Sequence, residues 1–241
     1  MEELTQPRAA ALRRQIREIL SLHGDGVLYR VLKRALDLLL ATVVLGIGAP
    51  LWLLIALAIK LYSPGPALYV IDREIGRGGK PFRYYKFRSM HVRRDEHVHR
   101  EAYRRYLNGE ALATVKDRHG RERPVFKLVN DPRIHGLGRL LRKTALDEIP
   151  QLFNVLRGEM TLVGPRPAIG YEWDMYSDSE RARLSVTPGI TGYYQVYGRA
   201  NVGFQEMCRM DREYIARRSL WLDLKIILLT PWVMLTGKGA H

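Results

Sequence analysis

Cysteine is nearly absent from this sequence. Cys208 is the only one in 241 residues, which excludes an internal disulfide framework and suits a reducing compartment. Acidic residues are scarce beside basic ones: 25 Asp and Glu against 39 Lys and Arg, a net charge of +14. A surface this basic implies an anionic partner, whether a membrane face, a nucleic acid or a phosphorylated substrate. No long apolar run occurs within about the first 35 residues, so no cleavable signal is expected. His91, His97 and His99 lack any cysteine or carboxylate at ligand spacing, which points to solvated surface and not to metal. The length is enough for one sizeable domain with at most a small annex.

What is present divides the chain into three. Residues 1–34 form a basic, amphipathic segment in which Leu12, Ile16, Ile19 and Leu20 share one helical face. A helix on a membrane surface and a helix packed on the protein both fit it. Residues 35–62 contain 22 consecutive uncharged residues, Leu38 to Ile59, with Pro50 just past the middle. That length alone favours a single spanning helix. Both flanks are basic, however, and a proline in mid-helix favours a kink, so a helix that turns back to the same face also fits. Residues 63–241 carry the rest. Here Ala67 to Ile71 reads as a strand, Gly76 to Gly79 as a turn, and Phe82 to Met90 as a strand with Lys86 and Arg88 on one face. Residues 91–124 are charge-dense, with a helix near Asp95 to Leu107 and no assignable chemistry. Tyr171 to Leu184 reads as a helix, and Pro188 to Gly192 as a tight turn in which glycine permits positive φ or a close backbone approach. Ser219 to Leu235 is rich in Leu, Ile and Trp but is interrupted by Asp223, Lys225 and Pro231, so it cannot span a bilayer. It fits an interfacial helix or a buried one.

The stretch that organises the chain is RKTALDEIPQLFNVLRGEMTLVGPRP, Arg142 to Pro167. Pro150 is tolerated only in a first helical turn, so a helix begins no earlier than about Leu146 and Asp147 sits at its N-terminus. Helix dipole and free N–H groups favour negative charge there. Capping and chemistry are both open for Asp147 and Glu148 on those residues alone. The Gly164-Pro165-Arg166-Pro167 turn adds a guanidinium on a backbone fixed by prolines, as bidentate phosphate binding requires.

These segments resemble the monotopic phosphoglycosyl transferases, bacterial sugar transferases that begin glycan assembly on polyprenyl phosphate. The matching pieces are TALDEIPQLFNVLRGEM, LVGPRP, YKFRSM, NDPRI, TPGITG and SLWLDLKI, in the family's order over roughly residues 30–240. The resemblance implies an α+β, mainly helical fold. A compact cytoplasmic domain with short strands would be anchored by a re-entrant helix–break–helix, with the break at Pro50, and by interfacial amphipathic helices. Two departures stand out: Ala49-Pro50 where the family often has Ser-Pro, and YYQVYGRA where WAQVNGRN is frequent. Tyr197 replacing Asn bears on sugar or nucleotide specificity. Arg199 is kept; it meets a phosphate or is plain surface.

The resemblance further implies transfer of a sugar-1-phosphate from a nucleotide diphosphosugar, UDP by family frequency, to polyprenyl (undecaprenyl) phosphate. Asp147 would be the nucleophile and, with Glu148, a ligand of Mg²⁺; Lys86, Arg88, Arg142, Arg166 and Arg199 would hold phosphates. The place of action would be the cytoplasmic face of a bacterial inner membrane, with the lipid bilayer as partner, no nucleic acid, and room for a homodimer. The charge of +14 also supports a membrane-tethered binder of nucleic acid or anionic lipid. That reading leaves Asp147-Glu148 and the Gly-Pro-Arg-Pro turn without a task.

Overall fold

The uncharged run folds as part of one helix, α1 (Val27–Tyr62), in the computed structural model, which describes residues 24, 26–91, 96–116, 122–126, 133–198 and 202–235. The amphipathic stretch 9–22, Asp131 and Arg199 lie outside the described residues. After α1 come β1 (Leu68–Ile75) and β2 (Pro81–Phe87), then α2 (Glu96–Leu107), β3 (Ala113–Lys116) and β4 (Glu122–Val125). The next segment holds α3 (Gly136–Lys143), a 3-10 turn at Leu146–Glu148, α4 (Gln151–Arg157), β5 (Thr161–Val163) and β6 (Ala168–Ile169). The last contains α5 (Gly170–Met175), α6 (Asp178–Arg181), β7 (Gly189–Thr191), α7 (Tyr193–Tyr197), α8 (Phe204–Arg217) and α9 (Leu220–Leu235). The fold is thus mostly helical with short strands, as expected. Two boundaries differ. Tyr171 to Leu184 is broken into short helical turns, and Pro188 to Gly192 is not a turn, because Gly189 to Thr191 pairs in parallel with β5.

The expected break at Pro50 does not interrupt the helix, which is continuous from Val27 to Tyr62. The Trp52 indole N–H donates to the carbonyl of Val44, eight residues back, at 3.2 Å. Eight residues rise roughly 12 Å along a straight helix, more than an indole reaches back, so the helix bends toward this face. Gly48 makes room, since a Cβ there would lie 2.3 Å from the Trp52 ring. The indole also gives a donor to an apolar segment that has no Ser hydroxyl beside its proline.

Both halves of α1 lie on the same body. In the first, Tyr29 and Lys33 bond the buried Asp223 at 2.9 and 2.8 Å, and Arg34 donates to the carbonyls of Val155 and Leu156 at 2.6 and 2.9 Å. Asp37 accepts from Thr161 Oγ1 at 2.5 Å and from Leu162 N at 3.0 Å. In the second half, Ile55 and Ile59 pack with Phe87 and Leu141. The outward face stays bare and apolar, with Ile47 81% and Leu53 72% exposed. By length and composition α1 is long and apolar enough to cross a membrane, with a window of mean hydropathy 2.4.

The sheet that carries the site has the order β2-β1-β6, all antiparallel. Tyr84 opposes Ile71 and Phe82 opposes Glu74; a bulge between Ile71 and Glu74 inserts one extra residue in β1. β6 then pairs Ile169 with Glu74 and Ala168 with Ile75. Opposite this sheet, Leu152, Val155 and Met160 pack on Phe82, Tyr84 and Ala41. Helix α2 contributes to the core as well: its Tyr106 packs with Phe204, Met207 and Tyr176.

Candidate active site

The centre is a turn that the sequence forces between two helices. Helix α3 is capped by His135, whose Nδ1 accepts from Gly138 N at 2.9 Å, and it ends at Thr144. Ala145 then takes a left-handed conformation (φ 51°, ψ 20°), the one non-glycine residue among those described that does so. Such a conformation is strained and is held only by the packing around it. The 3-10 turn follows, and Pro150 stands at the N-cap of α4. A turn therefore starts at Leu146 as expected, but Asp147 lies in it and not in the first turn of the α-helix, which begins at Gln151. The difference has a physical reason. Ala145 turns the chain sharply after α3, and only past Pro150 does an unbroken α-helical run begin.

Asp147 is 6% exposed. Burial raises its carboxyl to about 6, the Glu148 charge adds to this, and Lys86, Arg142 and a backbone N–H oppose it. The two cations reach it from different elements, Lys86 from the outer strand β2 and Arg142 from the last turn of α3. Lys86 has its own pKa lowered by burial despite the neighbouring Asp147. An ionised Asp147 is thus a desolvated anion with cations beside it, a reactive arrangement for a carboxylate.

Arg166 comes from the other side on a turn that hydrogen bonds clamp. Gly164 N donates to Thr191 O and Gly189 N to Pro165 O, both at 2.9 Å. The two glycines touch backbone to backbone, for a Cβ on Gly189 would meet Gly164 N at 2.1 Å. Arg183, fully buried in an ion pair with Asp211 at 2.8 Å, donates to the carbonyl of Arg166 at 2.9 Å. The prolines fix φ, and these bonds fix where the turn sits. Arg166 is exposed as a residue, and its guanidinium closes no ion pair among the described residues. Desolvation works against its charge, but the facing Tyr84, Glu148, Glu172 and Glu74 outweigh this and raise its pKa.

The structure therefore brings together Asp147, Glu148, Lys86, Arg142 and Arg166. Arg88 does not join them, which corrects the sequence reading. Strand β2 ends at Phe87, so Arg88 does not continue the alternation that Lys86 follows. It is 4% exposed and donates to the carbonyls of Ser63 (2.7 Å), Gly65 (3.4 Å), Ile59 (3.5 Å) and Pro64. Its charge caps the C-terminal end of α1, where carbonyls lack helical partners. Sequence reasoning missed Tyr84, Glu74, Glu172 and Arg183. Tyr84 was findable, as it alternates with Lys86. Glu172 looks like a plain helix-start acid, and its Oε2 does accept from Ile169 N at 3.1 Å; burial nevertheless pushes it up to about 7.

A pH effect follows. An Asp147 that must be ionised to act gives an acidic limb in kcat/KM near pH 6, where an ordinary Asp would give one near 4. Glu148→Gln removes a neighbouring negative charge and shifts the limb to lower pH; Arg142→Ala removes a positive one and shifts it to higher pH. A pH–rate profile of the three proteins checks both directions.

The family model for bacterial sugar transferases matches residues 28–237. The galactosyl transferase CpsE of Streptococcus agalactiae serotype III is 43% identical over 182 residues, 73% of this chain and 36% of that protein. The undecaprenyl-phosphate galactose phosphotransferase of Salmonella typhimurium is 40% identical over 215 residues, 88% of this chain and 42% of that protein. The UDP-glucose:undecaprenyl-phosphate glucose-1-phosphate transferase of Caulobacter vibrioides is 40% identical over 236 residues, 93% of this chain and 79% of that protein. The chain spans less than half the length of the first two of these relatives.

Proposed function

Because this chain belongs to the bacterial sugar transferase family, we propose that it moves a sugar-1-phosphate from a UDP-sugar to undecaprenyl phosphate through an adduct on Asp147. The observation that carries this reading is the buried Asp147 carboxylate beside Lys86 and Arg142, with Arg166 near enough to feel the Glu148 charge. In the first step an Asp147 oxygen attacks the β-phosphorus of the UDP-sugar. A phosphorus–oxygen bond forms to the carboxylate, the bond to the bridging oxygen breaks, and UMP leaves with both electrons. In the second step an oxygen of the lipid phosphate attacks the same phosphorus and releases Asp147 as a carboxylate. Neither step needs a general base to create the nucleophile, since both nucleophiles are already anions. Both need charge neutralised, which Lys86, Arg142 and Arg166 supply.

Mg²⁺ suits this donor set. Among the described residues no three His, Cys, Asp or Glu side chains gather for a protein cage. Mg²⁺ commonly uses one or two carboxylates and completes its shell with phosphate oxygens and water, so Asp147, Glu148 and a diphosphate suffice. Bound there, it would add positive charge at the phosphate oxygens.

The membrane reading rests on α1. Its two halves are tied to one body by Asp223, Thr161 and Leu162 at one end and by Arg88 and Phe87 at the other, so no bilayer passes between them. We place the bend at Pro50 inside one leaflet and both ends on the cytoplasmic face of the bacterial plasma membrane. Trp221, Leu228 and Trp232 of α9, 77%, 77% and 65% exposed, supply a second interfacial face. The nucleic-acid reading loses support because Lys33, Arg34, Arg88 and Arg183 spend their charge on internal partners.

Two measurements test these statements. A panel of UDP-sugars with undecaprenyl phosphate is expected to release UMP with one sugar strongly preferred; no UMP from any of them sinks the transferase reading. Single cysteines at Arg30 and Lys60, in a Cys208→Ser background, are expected to react with an impermeant thiol reagent from the cytoplasmic side only. Labelling from opposite sides means that α1 crosses.

A further inference from the structure

Glu74 stands apart from the other buried acids. Asp37, Asp211 and Asp223 each accept from named donors: Thr161 and Leu162, Arg183, and the set Tyr29, Lys33 and Tyr214. Glu74 is 5% exposed, yet its Oε2 is buried with no hydrogen-bond partner. A buried acceptor left alone costs stability and calls for an explanation. Its position supplies one. Through the bulge in β1, Glu74 comes opposite Phe82, so it shares the sheet face of Tyr84 and Lys86. On its other side it pairs with Ile169, three residues beyond Arg166, so the strand leaving the Gly-Pro-Arg-Pro turn runs alongside it. Burial raises its pKa, and Arg166 and Lys86 are near enough to oppose that. Neither closes an ion pair with it among the described residues.

A carboxylate in this place repels a phosphate and welcomes a neutral donor attached to one. In a nucleotide sugar, the groups next to the diphosphate are the hydroxyls of two sugar rings. We propose that Glu74 is a specificity residue whose unpartnered oxygen accepts a hydrogen bond from a ring hydroxyl of the nucleotide sugar bound at Arg166. The hydroxyl belongs to the transferred sugar or to the ribose, and the chemistry is the same for both. This rests on the transferase reading above. Glu74 does not touch the reacting phosphorus; it selects which ring can lie against the cation.

The test uses the preferred UDP-sugar, a set of analogues each lacking one hydroxyl of the transferred sugar, and the 2′-deoxyribose form. The intact chain is compared with Glu74→Met, which keeps the length and removes the acceptor, and Glu74→Gln, which keeps one oxygen. The wild-type protein is expected to lose about ten- to a hundredfold in kcat/KM with one analogue. Glu74→Met is expected to fall by a similar factor with the parent sugar and to show no further loss with that analogue, while Glu74→Gln lies between. Which analogue behaves this way tells the sugar from the ribose. The proposal is overturned if the Met variant discriminates among the analogues as the wild type does, or loses the same factor with every donor. If Glu74→Met does not fold, the isosteric Gln variant carries the same comparison, and undiminished discrimination there overturns it. A wild-type chain that turns over no nucleotide sugar overturns this proposal together with the transferase reading.

Discussion

Asp147→Asn is expected to lower turnover by at least about 10³-fold while making the folded protein more stable at neutral pH. Amide and acid have the same shape, so the loss isolates the anionic oxygen. The stability gain follows from burial. The Asp147 carboxyl is raised to about 6 in the folded chain against 3.8 in the unfolded one, so its ionisation is penalised by folding. Whatever stability this carboxyl contributes is present below pH 3.8 and is lost as pH rises through about 6. At pH 7 the neutral Asn escapes this penalty, worth roughly 1–3 kcal/mol, and below pH 3.8 the two proteins converge. Thermal melts at pH 7 and pH 4, beside UMP-release rates, check both halves. A variant both inactive and less stable at pH 7 points to a misfolded turn and not to a lost nucleophile.

Arg166 carries the second large effect. Arg166→Ala is expected to lower kcat/KM by about 10²–10³-fold, the scale seen when a positioned charge facing a transition state is removed. Arg166→Lys keeps the charge and loses the two-pronged donor, and is expected to recover only part of the activity. The turn keeps its backbone bonds in either variant, while Arg166→Ala, unlike Arg166→Lys, also costs stability by leaving Glu74, Glu148 and Glu172 without this cation. Gly164, Pro165 and the carbonyl of residue 166 make the bonds to Thr191, Gly189 and Arg183 whatever side chain stands there. Steady-state kinetics with both substrates varied, read beside thermal melts, separates this from a structural role. A full rescue by Lys contradicts bidentate phosphate binding.

The parts of the site that sequence revealed are those set by local chemistry. Pro150 bounded the turn holding Asp147, and Gly-Pro-Arg-Pro announced a fixed Arg166, because proline acts on its own neighbours. The parts that stayed hidden depend on which distant segments meet. Arg88 looked like the partner of Lys86 on a strand face, but β2 stops one residue earlier and the guanidinium turns under the end of α1. Glu74 was invisible because the bulge after Ile71 moves it onto the opposite face from the one simple alternation gives. Arg183 lies 17 residues from the carbonyl it holds. Nothing local marks such a contact. Pro50 was read as a break, yet Trp52 and Gly48 let the helix bend and continue. A single sequence signals the proline but not how its neighbours absorb it.

The claim on which the account depends is that Asp147 itself becomes phosphorylated by the sugar donor. The most direct measurement is to mix the protein with its UDP-sugar, labelled at the β-phosphate, without lipid acceptor, and to map the label by peptide mass. The account predicts one equivalent of UMP per protein, a phosphosugar on the peptide carrying Asp147 that hydroxylamine removes, and discharge of that label to added undecaprenyl phosphate. Transfer to lipid with no label ever resident on the protein, or a label on a different residue in Asp147→Asn, would contradict it.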